Sequence, residues 1–312
     1  MFRVGVIGLG AMGRNHVRVY SELPDVELAG IADVDPALAQ SLAKKYRTKP
    51  FSDYKELLQE DLDVVSIAVP TSLHREVAVE TARAGVNMLV EKPIADSVSA
   101  ASSIIEAAGK NRVKLMIGHI ERFNPVIPVI KKEIEGTEVS LIEITRIGPF
   151  PPRIRDVGVV IDLATHDIDL LRYITGSEFK KIYSLTSRNL APHEDAAILL
   201  FEMENGILGR VTVNWLTPFK VRTINIPTKE KLIKASLIDQ KVTIYSKYKE
   251  NDSYMVKELS VPFAEPLRLE LQAFISSIKN DVRPPVSGED GLKALEVAIS
   301  CINKNEAAGL IK

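Results

Sequence analysis

The sequence has little of several features that would place a protein in a specialised class. It contains a single cysteine, Cys301, which excludes an internal disulfide framework and is typical of a reducing, cytoplasmic environment. No apolar run approaches the roughly 18 residues of a membrane-spanning helix. The first residues indicate a strand rather than a signal peptide. We therefore expect a cytoplasmic protein with no membrane partner.

Neither sign of charge is in excess. With 40 basic and 41 acidic residues the net charge is −1, so the chain has no basic field with which to bind a nucleic acid. The cysteine and the five histidines show no zinc-type spacing, and we expect no metal. At 312 residues the chain is too long for one ordinary core, which predicts two domains.

The first 120 residues alternate short apolar strands with helices. Strands are predicted at 4–7, 26–32, 64–69, 86–90 and 114–117, and helices at 13–23, 36–46, 52–59, 73–84 and 98–108. Strands that are apolar without alternation are buried on both faces, as in a parallel sheet with helices on each side. The sequence therefore predicts the α/β class, with a doubly wound, parallel Rossmann sheet in residues 1–120.

Residues 121–312 follow a different pattern, with longer strands joined by short turns. Helices are predicted at 125–135, 161–174, 267–279 and 291–307, and strands at 181–187, 196–202, 207–215, 221–226 and 242–245. Glu204-Asn205-Gly206 is typical of a hairpin. These features predict a substrate-binding α+β domain with a large, mainly antiparallel sheet. Helices would cover one face, and the other would be solvated or buried against another subunit, which predicts a homodimer or homotetramer.

A glycine motif lies between the first predicted strand and helix. Gly8-Leu9-Gly10-Ala11-Met12-Gly13 is G-x-G-x-x-G, which allows a tight turn and close approach of the backbone to a pyrophosphate. Asp33 ends the second strand, where a carboxylate accepts hydrogen bonds from a ribose and repels a 2′-phosphate. This favours NAD over NADP, although Arg14 is placed to hold a phosphate. The competing interpretations are a structural glycine turn and a methyltransferase that binds S-adenosylmethionine.

Two further groups of residues suggest catalysis. Lys92, in Glu91-Lys92-Pro93, follows the predicted strand 86–90 at the ligand-binding edge of the sheet, where a lysine stabilises a developing alkoxide. Asp162 and His166 share one helical face, and an adjacent carboxylate orients a histidine for proton transfer. The competing interpretations are that Lys92 is a solvated surface lysine and that Asp162 and His166 are an ordinary pair on a helix surface. A structural or solvent role is favoured for the remaining histidines, His16, His74, His119 and His193.

Together these motifs resemble the Gfo/Idh/MocA oxidoreductases over nearly the whole chain. The resemblance rests on Gly8–Gly13, Asp33, Val69-Pro70-Thr71 with His74, Glu91-Lys92-Pro93, Arg122–Pro125, Asp162–Asp169 and Pro285–Gly291. It implies that Lys92, Asp162 and His166 line a sugar site and are catalytic. The cofactor-binding residues are then Gly8, Gly10, Ala11, Met12, Gly13, Asp33, Val69, Pro70, Thr71, His74, Glu91 and Lys92. Ser72 and Ala164 depart from the asparagine and glycine that many members carry.

Within the family, residues 118–125 and 214–218 are similar to UDP-N-acetylglucosamine 3-dehydrogenases, which implies oxidation of a sugar 3-hydroxyl with NAD. Arg122 and Arg153 are further predicted substrate-binding residues. Arg153 and Arg155 would clamp a diphosphate, unless they are solvated loop residues. Two alternatives stay open: an inositol or other sugar oxidoreductase with tightly bound NAD, and a non-catalytic NAD-binding regulator. The catalytic hypothesis requires Lys92 of the first domain and His166 of the second to meet between the domains.

Overall fold

The computed structural model describes residues 1–151, 157–190, 192–247 and 253–303. Its contacts divide the chain into two compact units. The first unit contains Met1–Ile120 together with Glu265–Leu295, and the second contains Glu121–Ala264 with the described residues that follow Leu295. The sequence hypothesis had assigned all residues after 120 to the second domain. The segment 265–295 is instead part of the unit that begins the chain.

The first half of the chain builds a parallel sheet, as the sequence predicted, and this sheet has six strands. Its elements are β1 (Phe2–Ile7), α1 (Ala11–Glu22), β2 (Val26–Ala32), α2 (Pro36–Tyr46), β3 (Lys49–Phe51), α3 (Tyr54–Leu57), β4 (Val64–Ile67), α4 (His74–Arg83), β5 (Asn87–Glu91), α5 (Val98–Asn111) and β6 (Leu115–Gly118). The strand order is β3-β2-β1-β4-β5-β6, which is the doubly wound Rossmann arrangement. All residues of β4 are buried, as expected for a central parallel strand.

Local sequence explains where the α2 helix begins. Asp35 is its N-cap, and the carboxylate accepts hydrogen bonds from the backbone N–H groups of Ala37 (3.0 Å) and Leu38 (3.1 Å). Pro36 occupies the first helical position, where its missing N–H costs nothing. Strand β3, which was not predicted, contains Pro50 and lies at the edge of the sheet, where a proline is tolerated.

The described residues after 120 supply an eight-stranded sheet and four α-helices. The elements are α6 (Val126–Ile134), β7 (Leu141–Pro149), α7 (Thr165–Thr175), β8 (Phe179–Ser187), β9 (Ala196–Met203), β10 (Leu208–Asn214), β11 (Leu216–Pro227), β12 (Lys231–Ser236), β13 (Lys241–Ser246), β14 (Val256–Leu259), α8 (Pro266–Lys279) and α9 (Gly288–Asn303). The strand order is β14-β13-β12-β11-β7-β10-β9-β8. Among these neighbours only β7 and β10 are parallel, so the sheet is mainly antiparallel as predicted.

The two faces of this sheet differ in their cover. Helix α7 contacts β7 and β10, and α6 contacts β12 and β13, so both helices lie on one face. The other face carries an outer apolar patch of exposed side chains on β8 and β9: Tyr183, Leu185, Ile198 and Leu200. In the register of the two strands, Tyr183 is opposite Leu200 and Leu185 is opposite Ile198. The patch is therefore continuous across the edge of the sheet.

Candidate active site

The glycine motif forms the turn between β1 and α1. Gly8 has a φ of +89°, and a Cβ there would lie 2.7 Å from the backbone of Ala68 and Val69. A Cβ on Gly13 would lie 1.8 Å from the carbonyl oxygen of Gly8, so this glycine permits the helix to approach the strand. A Cβ on Gly10 would meet no atom within 4 Å.

Helix α1 begins in a way that favours an anion. It has no side-chain N-cap and no acidic residue in its first turn, so no side chain competes for the N–H groups at its positive end. Together with the open space above Gly10, this is the cradle that the pyrophosphate of a dinucleotide requires. The residues of the motif therefore fit the cofactor that the sequence predicted.

Asp33 is held at the end of β2 by two backbone groups. The N–H of Leu9 donates to Oδ2 (2.6 Å), and the N–H of Asp35 donates to Oδ1 (2.9 Å). Each carboxylate oxygen keeps further acceptor capacity, so the group remains able to bind ribose hydroxyls. The Nε of Arg14 donates to the carbonyl of Leu9 (3.0 Å), so this arginine is bound to the glycine turn.

His74 joins two loops at the carboxyl edge of the parallel sheet. Its imidazole is buried, with Nδ1 2.9 Å from the carbonyl oxygen of Pro93 and Nε2 3.0 Å from that of Val69. Burial lowers the pKa of His74, and the two carbonyl contacts oppose that effect. His74 thus braces the predicted Val69-Pro70-Thr71 cofactor loop, and its direct contact with NAD stays a prediction.

The carboxylate of Glu91 lies against the backbone of Lys92. Oε1 accepts a hydrogen bond from Nε2 of the buried His16 (2.9 Å), and Oε2 accepts one from the N–H of Lys92 (3.2 Å). Burial alone would raise the pKa of Glu91, but His16 and Lys92 outweigh it and hold the pKa below its ordinary value. Gly118 leaves room for this carboxylate, because a Cβ there would lie 3.1 Å from it. Nothing in the sequence indicates the pairing of His16 with Glu91 beyond the residue types.

In the second unit, Asp162 and His166 lie at the start of the helix that crosses the sheet. Both are half-buried. The sequence predicted an α-helix through this region, but residues Val160–Ala164 form a π turn that leads into α7 at Thr165. Single π turns inside helices are frequent at functional sites, since they re-aim the side chains of one turn.

Glu194 fixes the beginning of this π turn. Its carboxylate accepts a hydrogen bond from the N–H of Val160 (3.2 Å), and its backbone carbonyl accepts one from the N–H of Val159 (2.8 Å). A Cβ on Gly158 would lie only 2.1 Å from the Glu194 carboxylate. The carboxylate and the glycine together set the position of the helix that carries Asp162 and His166.

Arg122, a predicted substrate-binding residue, is engaged within its own unit. Its Nε and Nη2 donate to the two carboxylate oxygens of Asp169 at 2.7 and 2.5 Å, a bidentate pair. Its guanidinium also lies over the ring of Tyr173, 4.8 Å from the centroid. Arg122 therefore orders α7, and its contact with substrate stays a prediction. Arg153 lies outside the described residues.

A buried charge cluster that the sequence did not predict lies under α7. Arg146, on the covered face of β7, donates to both carboxylate oxygens of Asp167 at 2.8–3.0 Å and to Glu121 at 2.7 Å. Arg222, directly opposite Arg146 on β11, also donates to Glu121 (3.1 Å). Burial raises the pKa of Glu121, but the two arginines outweigh it and hold that pKa below its usual value. Burial raises the pKa of Asp167 despite Arg146.

Comparison with known proteins places these features in context. Residues 2–119 match a family model described as an oxidoreductase family with an NAD-binding Rossmann fold, and residues 139–232 match the GFO/IDH/MocA C-terminal domain. The chain is 31% identical over 243 residues to UDP-N-acetylglucosamine 3-dehydrogenase of Acidithiobacillus ferrooxidans, covering 78% of this chain and 76% of that protein. It is 26% identical over 310 residues to myo-inositol 2-dehydrogenase of Thermotoga maritima, covering 94% and 93%. A solved structure of the Acidithiobacillus enzyme matches 98% of both chains with a TM-score of 0.90 at 27% identity.

Proposed function

Because this chain belongs to the GFO/IDH/MocA oxidoreductase family, we propose that it oxidises a secondary hydroxyl of a nucleotide sugar, namely the 3-hydroxyl of UDP-N-acetylglucosamine. It is an oxidoreductase that acts on CH–OH groups. The observation that carries the proposal is that Lys92, Asp162 and His166 are all present, on elements whose positions are fixed by buried partners. A non-catalytic regulator has no need of this set.

The proposed mechanism assigns each of the three residues one task. The glycine motif and Asp33 would hold NAD, whose nicotinamide would supply the hydride acceptor for the substrate carbon. His166 takes the proton of the substrate hydroxyl at an imidazole nitrogen. The ammonium of Lys92 stabilises the negative charge that develops on the same oxygen. Asp162 holds the imidazole in place and stabilises its protonated form.

We propose NAD rather than NADP as the cofactor. Asp33 is braced by Leu9 and Asp35, and the carboxylate of Asp35 follows two residues later, so two negative charges lie at the end of β2. A 2′-phosphate would be repelled there.

A second candidate function is oxidation of an inositol. It is favoured by matches that span almost the whole chain, including scyllo-inositol 2-dehydrogenase (NAD(+)) of Bacillus subtilis, 27% identical over 319 residues and covering 96% of this chain. The same three catalytic residues would serve, because the chemistry at the carbon is unchanged.

A substrate panel distinguishes the two functions. Purified protein is mixed with NAD and, separately, UDP-N-acetylglucosamine, UDP-glucose, myo-inositol or scyllo-inositol, and reduction of NAD is followed at its near-ultraviolet absorbance. We expect turnover with UDP-N-acetylglucosamine and slower or no turnover with the inositols. The reverse order would replace the proposal with the inositol function. Gel filtration followed by an absorbance spectrum tests whether NAD is released or stays bound, as the second candidate predicts.

We further propose that the protein is a cytoplasmic homodimer or a dimer of dimers. The outer apolar patch supports assembly, since a monomer rarely leaves four neighbouring large apolar side chains exposed on one sheet face. The sequence has one cysteine, Cys301, so no disulfide can form within the chain, which supports a reducing compartment. Within the described ranges, no helix has the length and apolar character needed to cross a membrane.

A further inference from the structure

Two buried histidines bond to the residues on either side of Lys92. His16 comes from α1, the helix that follows the glycine motif, and it reaches Glu91. His74 comes from the first turn of α4, and it reaches Pro93. Both imidazoles are at most 1% exposed. Contact with solvent or packing at the surface therefore does not explain the position of either imidazole.

The hydrogen bond of His16 is made to the carboxylate of Glu91. Nδ1 of His16 is buried and has no hydrogen-bond partner among the described residues, so Nε2 makes its one hydrogen bond. That bond occupies one carboxylate oxygen of Glu91 while the N–H of Lys92 occupies the other. A buried carboxylate bonded at both oxygens has one low-energy orientation, since turning it would leave a buried charge unpartnered. The backbone N–H of Lys92 is therefore fixed through Glu91.

The contact of His74 fixes the residue that follows Lys92. Proline has no N–H, so the carbonyl oxygen of Pro93 is its only backbone group able to accept or donate a hydrogen bond. Nδ1 of His74 lies 2.9 Å from that oxygen, and Nε2 holds Val69 on the adjacent loop. A neutral imidazole carries one N–H, so the two contacts are chemically unequal and separable by substitution.

We propose that His16 and His74 are positioning residues that fix the main chain on both sides of Lys92 and so aim its ammonium group at the substrate oxygen. This inference rests on the role of Lys92 in the proposed function. The lysine side chain has four flexible carbons, so fixing the main chain that carries it narrows the positions its ammonium group can reach. A misplacement of about 1 Å at a catalytic group can cost roughly a hundredfold in rate, which gives such bracing a clear benefit.

Substitution of His16 tests the first contact. Gln places an amide N–H near the position of Nε2 and can donate to Glu91, whereas Leu fills similar space without a donor. We expect His16→Leu to lower kcat at least about tenfold, with KM and NAD affinity changed less than about twofold, and His16→Gln to restore most of kcat. Ser66→Ala is the matched control, because it removes a buried hydrogen bond with Tyr20 on the same helix. It should lower Tm without lowering kcat.

Substitution of His74 tests the second contact. Asn places its amide N–H near Nδ1 and keeps the bond to Pro93, whereas Gln places it near Nε2 and keeps the bond to Val69. We expect His74→Asn to retain kcat and His74→Gln to lose it. Equal losses in both variants, in step with their Tm values, would show that His74 only stabilises the fold and would overturn its positioning role.

The outcomes separate this inference from the proposed function. If Lys92→Met keeps normal turnover of UDP-N-acetylglucosamine, the role of Lys92 fails and the proposed function with it. If Lys92→Met is inactive but His16→Leu and both His74 variants keep kcat, only the inference fails. NAD affinity, measured by quenching of protein fluorescence, shows that each variant has kept its cofactor site.

Discussion

At the scale of single residues, the most direct prediction concerns the three proposed catalytic side chains. We expect Lys92→Ala and His166→Ala each to lower kcat by about a hundredfold or more, the usual scale for a lost proton-transfer or charge-stabilising group. Asp162→Asn should cost less, because it spares the imidazole and removes only an orienting charge. NAD affinity should change much less than kcat, since the glycine motif and Asp33 provide most of it. Steady-state kinetics and NAD titration check this, and near-normal turnover in both alanine variants would contradict the mechanism.

The choice of cofactor depends on one carboxylate. We expect Asp33→Ala to weaken NAD binding and to relieve the exclusion of NADP, because it removes the acceptor for the ribose hydroxyls and a repelling charge. The ratio of kcat/KM for NAD and NADP measures the effect. Asp53→Ala is a suitable control, since this carboxylate is the N-cap of α3, where it accepts a hydrogen bond from the backbone N–H of Lys55. A wild-type protein that uses NADP as well as NAD would contradict the role of Asp33 and point to Arg14.

Glu121 makes stability depend on pH. Its pKa is lower in the folded protein than in the unfolded chain, where it is about 4.3, so its contribution is present above that pH. The contribution is lost as the pH falls through the folded pKa. Asp167 has a raised pKa and contributes in the opposite direction, so wild-type stability alone does not isolate Glu121.

We therefore expect the cost of Glu121→Gln, measured by urea unfolding, to be about 3–5 kcal/mol near neutral pH and to shrink as the pH falls below about 4. Glu143→Gln is the control, because Glu143 pairs with Arg210 on the other face of the sheet, where Arg210 is 47% exposed. It should cost little at any pH. A cost of Glu121→Gln that does not vary with pH would contradict the argument.

At the scale of elements, the start of the π turn offers a steric test. We expect Gly158→Ala to destabilise the protein by about 1–3 kcal/mol, because its methyl group would collide with the Glu194 carboxylate. Adding Glu194→Ala should recover part of the loss by making room, although the N–H of Val160 then loses its acceptor. Thermal unfolding of the two single variants and the double variant measures the coupling. If the stability losses of the two single variants simply add in the double variant, the collision is relieved by movement of residues other than Glu194.

The outer apolar patch predicts how the protein assembles. We expect Leu200→Asp, in the middle of the patch, to shift a dimer or tetramer toward smaller species, because a buried unpaired charge opposes association. Light scattering at micromolar concentration measures the mass. Val282→Lys, at an exposed position of the first unit, is the control and should leave the mass unchanged. A wild-type protein that is monomeric at that concentration would refute the assembly proposal.

The sequence predicted well those elements whose residue types match their position and burial in the structure. The cap at Asp35, the apolar run of β4 and the hairpin at Gly206, with φ of +84°, are examples. Strand β7 was missed because Arg146 occupies a buried position, which breaks the alternation of apolar and polar residues. The π turn was missed because the residue that binds its start, Glu194, lies thirty-four positions after Val160.

The residues of the candidate site also fall into those that the sequence could indicate and those that it could not. The glycine motif, Asp33 and Lys92 could be proposed as site residues because each lies next to the end of a strand. The contacts of His16 and His74 could not be predicted, since each is made with a distant segment: Glu91 is seventy-five positions from His16, and Pro93 is nineteen from His74. An isolated histidine in a helix carries no sign of such a partner.

At the scale of the whole molecule, the first unit is discontinuous in sequence. The chain leaves it after Ile120 and returns at Glu265, where α8 contacts α1 and Arg268 pairs with Glu22. The N–H of Ile117, in the edge strand β6, donates to the carbonyl of Val286 (3.1 Å). The first unit therefore lacks the helix and the backbone partner that cover part of it until late in the sequence.

This order has a consequence for the protein as it is made. A ribosome delivers the glycine motif and all six parallel strands first, yet α8 and the partner of Ile117 leave the exit tunnel only after the entire second sheet. At about 5–20 residues per second, the 145 residues from Glu121 to Glu265 take on the order of ten seconds. For that time the nascent Rossmann half exposes the side of α1 that α8 later covers. A gene fragment that stops at residue 120 would make that temporary exposure permanent.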